Sequence, residues 1–293
     1  MPVSPDKNRL ISICIPSYNA PLFTERCIRS ILNSTYSNLE IIVSDDSDND
    51  QTQIMIKTLS DSRITYFHNQ SRLGPPLNWN HALHAANGDY IGLLNHDDMI
   101  GPFWLELASY QLNKNPNVGT VVSSFRVVDK DDRTLSNRLQ LGDSRILDTH
   151  FSFYYAVSQS GFGLGYITRN SLLQRVGFYD PEAGAYADYD LILKLSSLRP
   201  VYYSSNPYHV SYRVHRNNLT LQYSPVDRVK ATISILKKRL EHLPDSSLKS
   251  LKNTYWEFVS SFIDETIRVA VKKKDHSSRE QLIKLKETIP FER

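Results

Sequence analysis

Asn95, His96, Asp97 and Asp98 follow directly on the apolar run YIGLL, so two adjacent carboxylates stand at the end of a segment suited to burial. Neighbouring carboxylates repel, and a fold that keeps both ionised supplies a compensating cation. A divalent ion is one candidate. Oxygen ligands select hard ions such as magnesium or manganese, which take phosphate oxygens and water as their remaining partners. The competing reading is structural, because Asp and Asn also form tight loops and cap helices. Two more apolar runs end in polar clusters: LISICI leads into Pro16, Ser17, Tyr18 and Asn19, and LEIIVS leads into Asp45, Asp46, Ser47 and Asp48. Further on, Asp188 and Asp190 precede a stretch with Leu191, Leu195 and Leu198 on one side. A carboxylate there can act as a general base or simply favour the dipole of a helix N-terminus.

The elements that must position these residues alternate. LISICIP, LEIIVSDDS, RITYFHN, YIGLLNHDD and VGTVVSSF read as buried strands; LFTERCIRSILNS, QTQIMIKTLS, PLNWNHALHAAN and PFWLELASYQLNKN read as the helices between them. In the first helix the stripe is Leu22, Cys27, Ile28, Ile31 and Leu32. This spacing predicts βαβ units with right-handed crossovers, hence an α/β fold with a mainly parallel sheet and helices on both faces. Ligands of such sheets bind beyond the carboxyl ends of the strands. The three polar clusters should therefore meet in one crevice.

Composition sets the outer limits. The chain has 293 residues, 40% hydrophobic and 22% charged, as in globular proteins with a sizeable core. Its apolar runs are strand-sized, and the N-terminus has no signal-peptide core, so a cytoplasmic protein is expected. Cys14 and Cys27 fall in a strand-like and a helix-like run and are expected to be buried, reduced thiols. A net charge of +3 is too small to argue for nucleic acid. Residues 225–293 hold fifteen Lys/Arg against ten Asp/Glu, which leaves the rest at −2. That basic segment reads as amphipathic helices over 226–243 and 248–274, broken at PDSS. Such helices either pack on their own domain or dock on an anionic membrane surface. The Gly161, Gly163 and Gly165 run is no dinucleotide fingerprint, because it does not open a helix after a first strand.

Taken in order, ISICIPSYNA, LEIIVSDDSDND, GPPLNWNHALHAANGDYIGLLNHDD and RVGFYDPEAGAYADYDLILKL resemble blocks of the inverting family-two glycosyltransferases of the GT-A fold, mostly bacterial enzymes of surface-polysaccharide synthesis. The resemblance covers roughly residues 9 to 216 and not the C-terminal helices. It implies a Rossmann-like GT-A catalytic domain over 1–223 and a helical extension over 224–293. It also implies that Pro16, Tyr18, Asn19 and Asn78 line a nucleotide-sugar pocket with Asp45 and Asp46, which would accept a hydrogen bond from the imide of uracil or thymine. Asn95 and Asp97 would hold the ribose. Asp97 and Asp98, with His215, would hold Mn2+ or Mg2+ against the diphosphate, and Arg213 would reach that diphosphate. Asp188 would be the catalytic base. Two positions depart from the family pattern: Asn95 replaces an Asp, and Ala187 replaces a Glu.

The function so implied is metal-dependent, inverting transfer of a sugar from a UDP- or dTDP-sugar to a hydroxyl of a glycan acceptor, lipid-linked in one version. The acceptor would then be met at the inner face of the cytoplasmic membrane through the basic C-terminal helices. A nucleotidyltransferase would want a glycine-rich, basic phosphate loop where PSYNAPLF stands. A catalytically silent sugar-nucleotide or glycan-binding module is the alternative that Asn95 and Ala187 leave open.

Overall fold

The computed structural model describes residues 8–139, 141–158, 164–241, 243 and 252–289. Strand β1 (Ile11–Ser17) is buried throughout, with β2 (Leu39–Asp45) on one side and β4 (Tyr90–Leu93) on the other, both parallel to it. Beyond β2 lies β3 (Ile64–His68), also parallel. Past β4 the sheet continues with β10 (Ile167–Arg169), β6 (Thr120–Ser123), β11 (Val201–Ser204) and β9 (Arg145–Leu147), giving eight strands in the order β3-β2-β1-β4-β10-β6-β11-β9. Strand β10 runs antiparallel to both its neighbours, so the sheet is mixed although most of its pairings are parallel.

The sequence reading places one strand at VGTVVSSF. The chain in fact leaves the large sheet at Ser124 and enters a second, four-stranded one, made of β5 (Met99–Ile100), β12 (Val210–Arg213), β7 (Phe125–Val128) and β8 (Thr134–Arg138). Such short strands carry too little periodicity to be seen in sequence. Their effect is large, because β12 brings Arg213 and His215 back to the end of β4.

Alternation along the strands divides the core into two layers. Ile11, Ile13 and Ile15 of β1 face α1 (Pro21–Leu32) and α4 (Trp104–Lys114), packing with Cys27, Ile28, Ile31, Trp104 and Leu105. Cys14 and Ile42 face the opposite layer. That layer holds α3 (Pro75–His84), α5 (Thr149–Ser158), α7 (Ala187–Leu198), α8 (Pro225–Glu241), α9 (Lys252–Lys272) and α10 (His276–Glu287). Leu172 and Leu173 place α6 (Asn170–Val176) in that layer as well, while α2 (Gln51–Leu59) packs on the first through Met55, Ile56 and Leu59. Cys14 and Cys27 are buried free thiols. Leu22 departs from the predicted stripe: it is 72% exposed, at the rim of the site described below.

The C-terminal helices belong to this second layer. On α8, Val229, Ile233, Leu236 and Leu240 recur at helical spacing and are all buried. Each such side chain contributes about 1.5–3 kcal/mol when fully buried. Tyr255, Val259 and Ile263 of α9 join the same cluster. Lys230, Lys238 and Lys272, with Lys273 and Lys274 just past the end of α9, lie exposed on helices whose inner face completes the core, whereas Arg228 and Arg239 of α8 turn inward. The predicted break at 244–247, like Gly161 and Gly163, lies outside the described residues. Among the described residues, no helix is long and apolar enough to cross a membrane.

Candidate functional site

The ends of β1, β2 and β4 open into a cleft of about 1630 Å³, lined among others by Pro16, Tyr18, Asn19, Asp46, Asn78, Asn95, His96, Asp97, Asp188 and His215. The three polar clusters meet there.

The corner between β1 and β2 is tightly hydrogen-bonded. Asn19 adopts a left-handed backbone conformation (φ 48°), which its short polar side chain tolerates. Its amide donates to Ser47 Oγ at 2.8 Å, its Nδ2 donates to Asp48 at 2.9 Å, and its Oδ1 accepts from the Asp48 amide at 3.1 Å. The Tyr18 hydroxyl reaches Asp48 at 3.3 Å, and the Arg72 guanidinium lies over its ring, 4.0 Å from the centroid. Asp46 holds the entry to α3: its carboxylate accepts from Asn69 Nδ2 (2.7 Å), the Leu73 amide (3.2 Å) and the Gly74 amide (2.9 Å). Gly74 takes φ +82° here, a conformation a side chain would strain. Asn78 is buried and tied to the Ser44 carbonyl at 3.2 Å and to Asn69 at 3.0 Å.

At the end of β4 the adjacent carboxylates point in different directions. Asp97 Oδ2 faces His215 Nε2 at 3.0 Å and Asn218 Nδ2 at 3.3 Å. Burial pushes the Asp97 carboxyl up, but the His215 hydrogen bond and the neighbouring charges of His96 and His215 outweigh it and hold the pKa below the usual carboxylate value. Asp98 is 1% exposed. Its Oδ1 accepts from the Arg213 amide at 3.0 Å, while Oδ2 has no hydrogen-bond partner among the described residues. Burial, then the charge of Asp97, push the Asp98 carboxyl well above its ordinary pKa. The pair therefore avoids two adjacent bare charges by dividing its environment: Asp97 is ionised toward the cleft and Asp98 is held in the interior.

Arg213 is fully buried behind this point. Its Nε donates to the Asp97 carbonyl at 2.8 Å, Nη1 donates to the Asp129 carbonyl at 3.1 Å and pairs with Asp132, and the guanidinium packs over Phe23, 5.0 Å from the ring centroid. Phe23 also stacks on His215, at 4.9 Å between ring centroids. One aromatic ring thus fixes both basic side chains.

The other wall comes from the second layer. Asp188, in the first turn of α7, is exposed into the cleft and accepts from the Tyr189 amide at 2.7 Å. The protein surrounding the cleft around it raises its pKa by desolvation. Asp190, two residues on, is 1% exposed and turned away, paired with Arg239 of α8 and, at 3.4 Å, with Lys194. Much of the rest of this wall is aromatic, with Tyr166, Tyr179, Tyr186, Tyr189 and Tyr223 beside Phe258 and Phe262 of α9, and Arg228 of α8 stands among them.

A family model described as Glycosyl transferase family 2 matches residues 12–175, more than half of the chain. The chain belongs to glycosyl transferase family 2. It is 34% identical over 122 residues to the Escherichia coli UDP-Glc:alpha-D-GlcNAc-diphosphoundecaprenol beta-1,3-glucosyltransferase, a match covering 42% of this chain and 48% of that protein. The chain spans 29–42% of the length of the first three curated relatives it matches. Among solved structures, Staphylococcus aureus TarS 1-349 in complex with UDP-GlcNAc superposes with a TM-score of 0.69 at 14% identity, covering 95% of this chain and 90% of that one. A Pyrobaculum calidifontis mannosyltransferase in complex with GDP-Man and Mn2+ gives 0.61 at 14% identity, covering 94% and 86%. These structural likenesses establish the GT-A fold.

Of the site residues expected from the family-two resemblance, Pro16, Tyr18, Asn19, Asp46, Asn78, Asn95, Asp97, Asp188 and His215 share the cleft. Asp45, Asp98 and Arg213 stand behind its wall. Asp45 is fully buried and binds Ser47 Oγ at 2.5 Å and the Tyr66 hydroxyl at 2.9 Å. Arg72, Asp48, Asn218, Tyr186 and Arg228 were missed. Asp48 stood in the DDSDND cluster, Tyr186 two residues before Asp188, and Asn218 three residues after His215, so each had a local signal; Arg72 and Arg228 reach the cleft through contacts across the fold that no local pattern announces.

Proposed function

We propose that this chain is a metal-dependent, inverting glycosyltransferase that moves a sugar from a UDP- or dTDP-sugar to a hydroxyl of a glycan acceptor in polysaccharide biosynthesis. The observation that carries this reading is the sharing of one cleft by the polar β1–β2 corner, by Asp97 with His215, and by Asp188. In this reading residues 1–223 are the catalytic domain and 224–293 an extension that completes the acceptor side.

Asp46 already accepts three hydrogen bonds, and a carboxylate has about four acceptor positions. One remains for the imide N–H of uracil or thymine. Tyr18, stiffened by Arg72, offers the flat surface beside it. Asp97 and His215 would give a divalent ion one carboxylate and one imidazole at the cleft, in place of the hydrogen bond they make to each other, and no third His, Cys, Asp or Glu stands with them among the described residues. Such a set leaves positions for diphosphate oxygens and water, as magnesium and manganese require. When bound, the ion neutralises charge on the leaving diphosphate. Asp188 accepts the proton of the acceptor hydroxyl as its oxygen forms the new bond to the anomeric carbon. The electron pair of the broken bond leaves with the diphosphate on the opposite face, so configuration inverts. The raised pKa makes Asp188 a stronger base than an ordinary carboxylate.

A lipid-linked acceptor at the inner face of the cytoplasmic membrane is supported by the diphosphoundecaprenol in the name of the Escherichia coli relative. The exposed Val271, Lys272, Lys273 and Lys274 at the end of α9 suit an anionic surface. In a thermal-shift panel with manganese, a UDP- or dTDP-sugar is expected to raise Tm and to be slowly hydrolysed, and a chelator to abolish the hydrolysis. Equal binding of purine nucleotides would remove the pyrimidine assignment. Binding without hydrolysis or transfer would leave a silent sugar-nucleotide-binding module.

A further inference from the structure

Arg228 lies in the first turn of α8, beyond the part of the chain matched by the family model. Its Nε is buried and has no hydrogen-bond partner among the described residues, and the same is true of the Tyr186 hydroxyl. Both residues line the cleft. The two groups lie side by side, yet neither makes a well-formed hydrogen bond among the described residues, and buried polar groups nearly always do; a pair of donors left so beside one cavity points to a ligand.

The surroundings sharpen this. Asp227, the adjacent acid, is committed to Ser224: Ser224 Oγ donates to its carboxylate at 2.7 Å, and the Asp227 amide donates back to Ser224 Oγ at 3.1 Å. Arg239, on the same helix, shows the contrasting case, with its guanidinium paired to Asp190 and Asp180. Arg228 has no such carboxylate among the described residues. The Tyr186 ring is set edge-on against Tyr223, at 5.7 Å between centroids. Burial raises the Tyr186 phenol pKa, while its contact with the Arg228 side chain and the charge of that guanidinium work against the rise, which sets the two groups next to each other.

We propose that Arg228 and Tyr186 form an anion-binding subsite on the acceptor side of the cleft, which recognises a phosphate or carboxylate group of the acceptor near the hydroxyl to be glycosylated. The proposal rests on the glycosyl-transfer reading above for its acceptor. A guanidinium offers donors and no acceptor, and its fork matches the paired oxygens of a phosphate or carboxylate. The phenol adds a further donor. Tyr186, Arg228 and Asp188 line the same cleft, which sets the anion in the space that the base also reaches. Acceptor choice is thereby assigned partly to the C-terminal helices.

The test uses the full chain saturated with UDP and Mn2+, so that the donor site is filled, and titrates n-octyl phosphate, n-octyl β-D-glucuronide and the neutral n-octyl β-D-glucoside. One of the anionic probes should bind about ten-fold or more tightly than the neutral one, and which of them does so distinguishes phosphate from carboxylate. Arg228→Gln should abolish that preference, Arg228→Lys should keep part of it, and Tyr186→Phe should reduce it by about three- to ten-fold. UDP affinity should be unchanged in all three variants, which reports an intact fold. Equal binding of neutral and anionic probes to the wild type would overturn the proposal. So would an undiminished preference in Arg228→Gln. Failure of the wild type to bind UDP would count against the donor reading instead, and the same titrations without nucleotide would still decide the subsite.

Discussion

On the wall formed by β1, β2 and β4, polar side chains are tied to one another: Asn19 to Ser47 and Asp48, Asp46 to Asn69, Leu73 and Gly74, and Asp97 to His215 and Asn218. Across the cleft, the wall from α7, α8 and α9 is largely aromatic, and the buried Tyr186 hydroxyl and Arg228 Nε make no well-formed hydrogen bond among the described residues. The first arrangement is preorganised, since its groups are held in place before any ligand arrives and lose little freedom on binding. The second is costly in isolation and favours a ligand able to satisfy it. A site divided in this way suits a reaction in which one substrate class is constant and the other differs between relatives.

Asp188 offers the largest test of the contrast, because it is the group of the second wall assigned to the chemistry itself. Asp188→Asn should lower turnover by about 10²–10⁴-fold while UDP still binds. The acid limb of the wild-type rate profile should lie above the ordinary Asp pKa of about 3.9, since the protein around the cleft desolvates this carboxyl and only its ionised form can take a proton. Activity would then fall as pH drops through that raised value, and the limb should vanish in Asp188→Asn. Near-normal turnover in Asp188→Asn, with Asp190→Asn folded but inactive, would transfer the role to Asp190.

Asp190 should break the fold where Asp188 breaks the chemistry. Asp190→Ala takes the buried carboxylate from Arg239 and Lys194 and leaves Arg239 only its 3.4 Å contact to Asp180, so it should cost about 3 kcal/mol of stability, the low end for breaking a buried pair, and loosen α8 from α7. Denaturant unfolding measures this; a loss below about 1 kcal/mol would mean that α8 is held by its apolar stripe alone.

Asp46 gives the smallest expected effect and tests the preorganised wall. Asp46→Ala releases the Asn69, Leu73 and Gly74 donors and should weaken UDP binding by about 1–3 kcal/mol. Titration calorimetry that finds an unchanged affinity would show that the loop holds its shape without the carboxylate.

Much of this site was legible in the chain. Long apolar runs ending in PSYNA, DDSDND and NHDD announced β1, β2 and β4, and parallel-sheet topology then required their ends to converge. Asp188 was visible for a similar reason, as an acid placed just ahead of a strong apolar stripe. The division of labour between Asp97 and Asp98 was not. Adjacent residues carry the same local signal, and only the return of β12, which sets Arg213 behind Asp98 and His215 before Asp97, gives them opposite surroundings. Asp45 and Asp46 separate in the same way, one bound into the interior through Tyr66 and the other facing the cleft.

The sequence by itself therefore determined the α/β alternation, the strand ends that carry the chemistry and the amphipathic character of the C-terminal helices, because these depend on periodicity within single elements. The tertiary structure decided the direction of each carboxylate, the second sheet, and the arrival of Tyr186 and Arg228 at one cleft from different helical segments. Those outcomes depend on contacts between residues far apart in the chain, such as Arg239 with Asp190 and His215 with Asp97, and such contacts leave no local pattern to read.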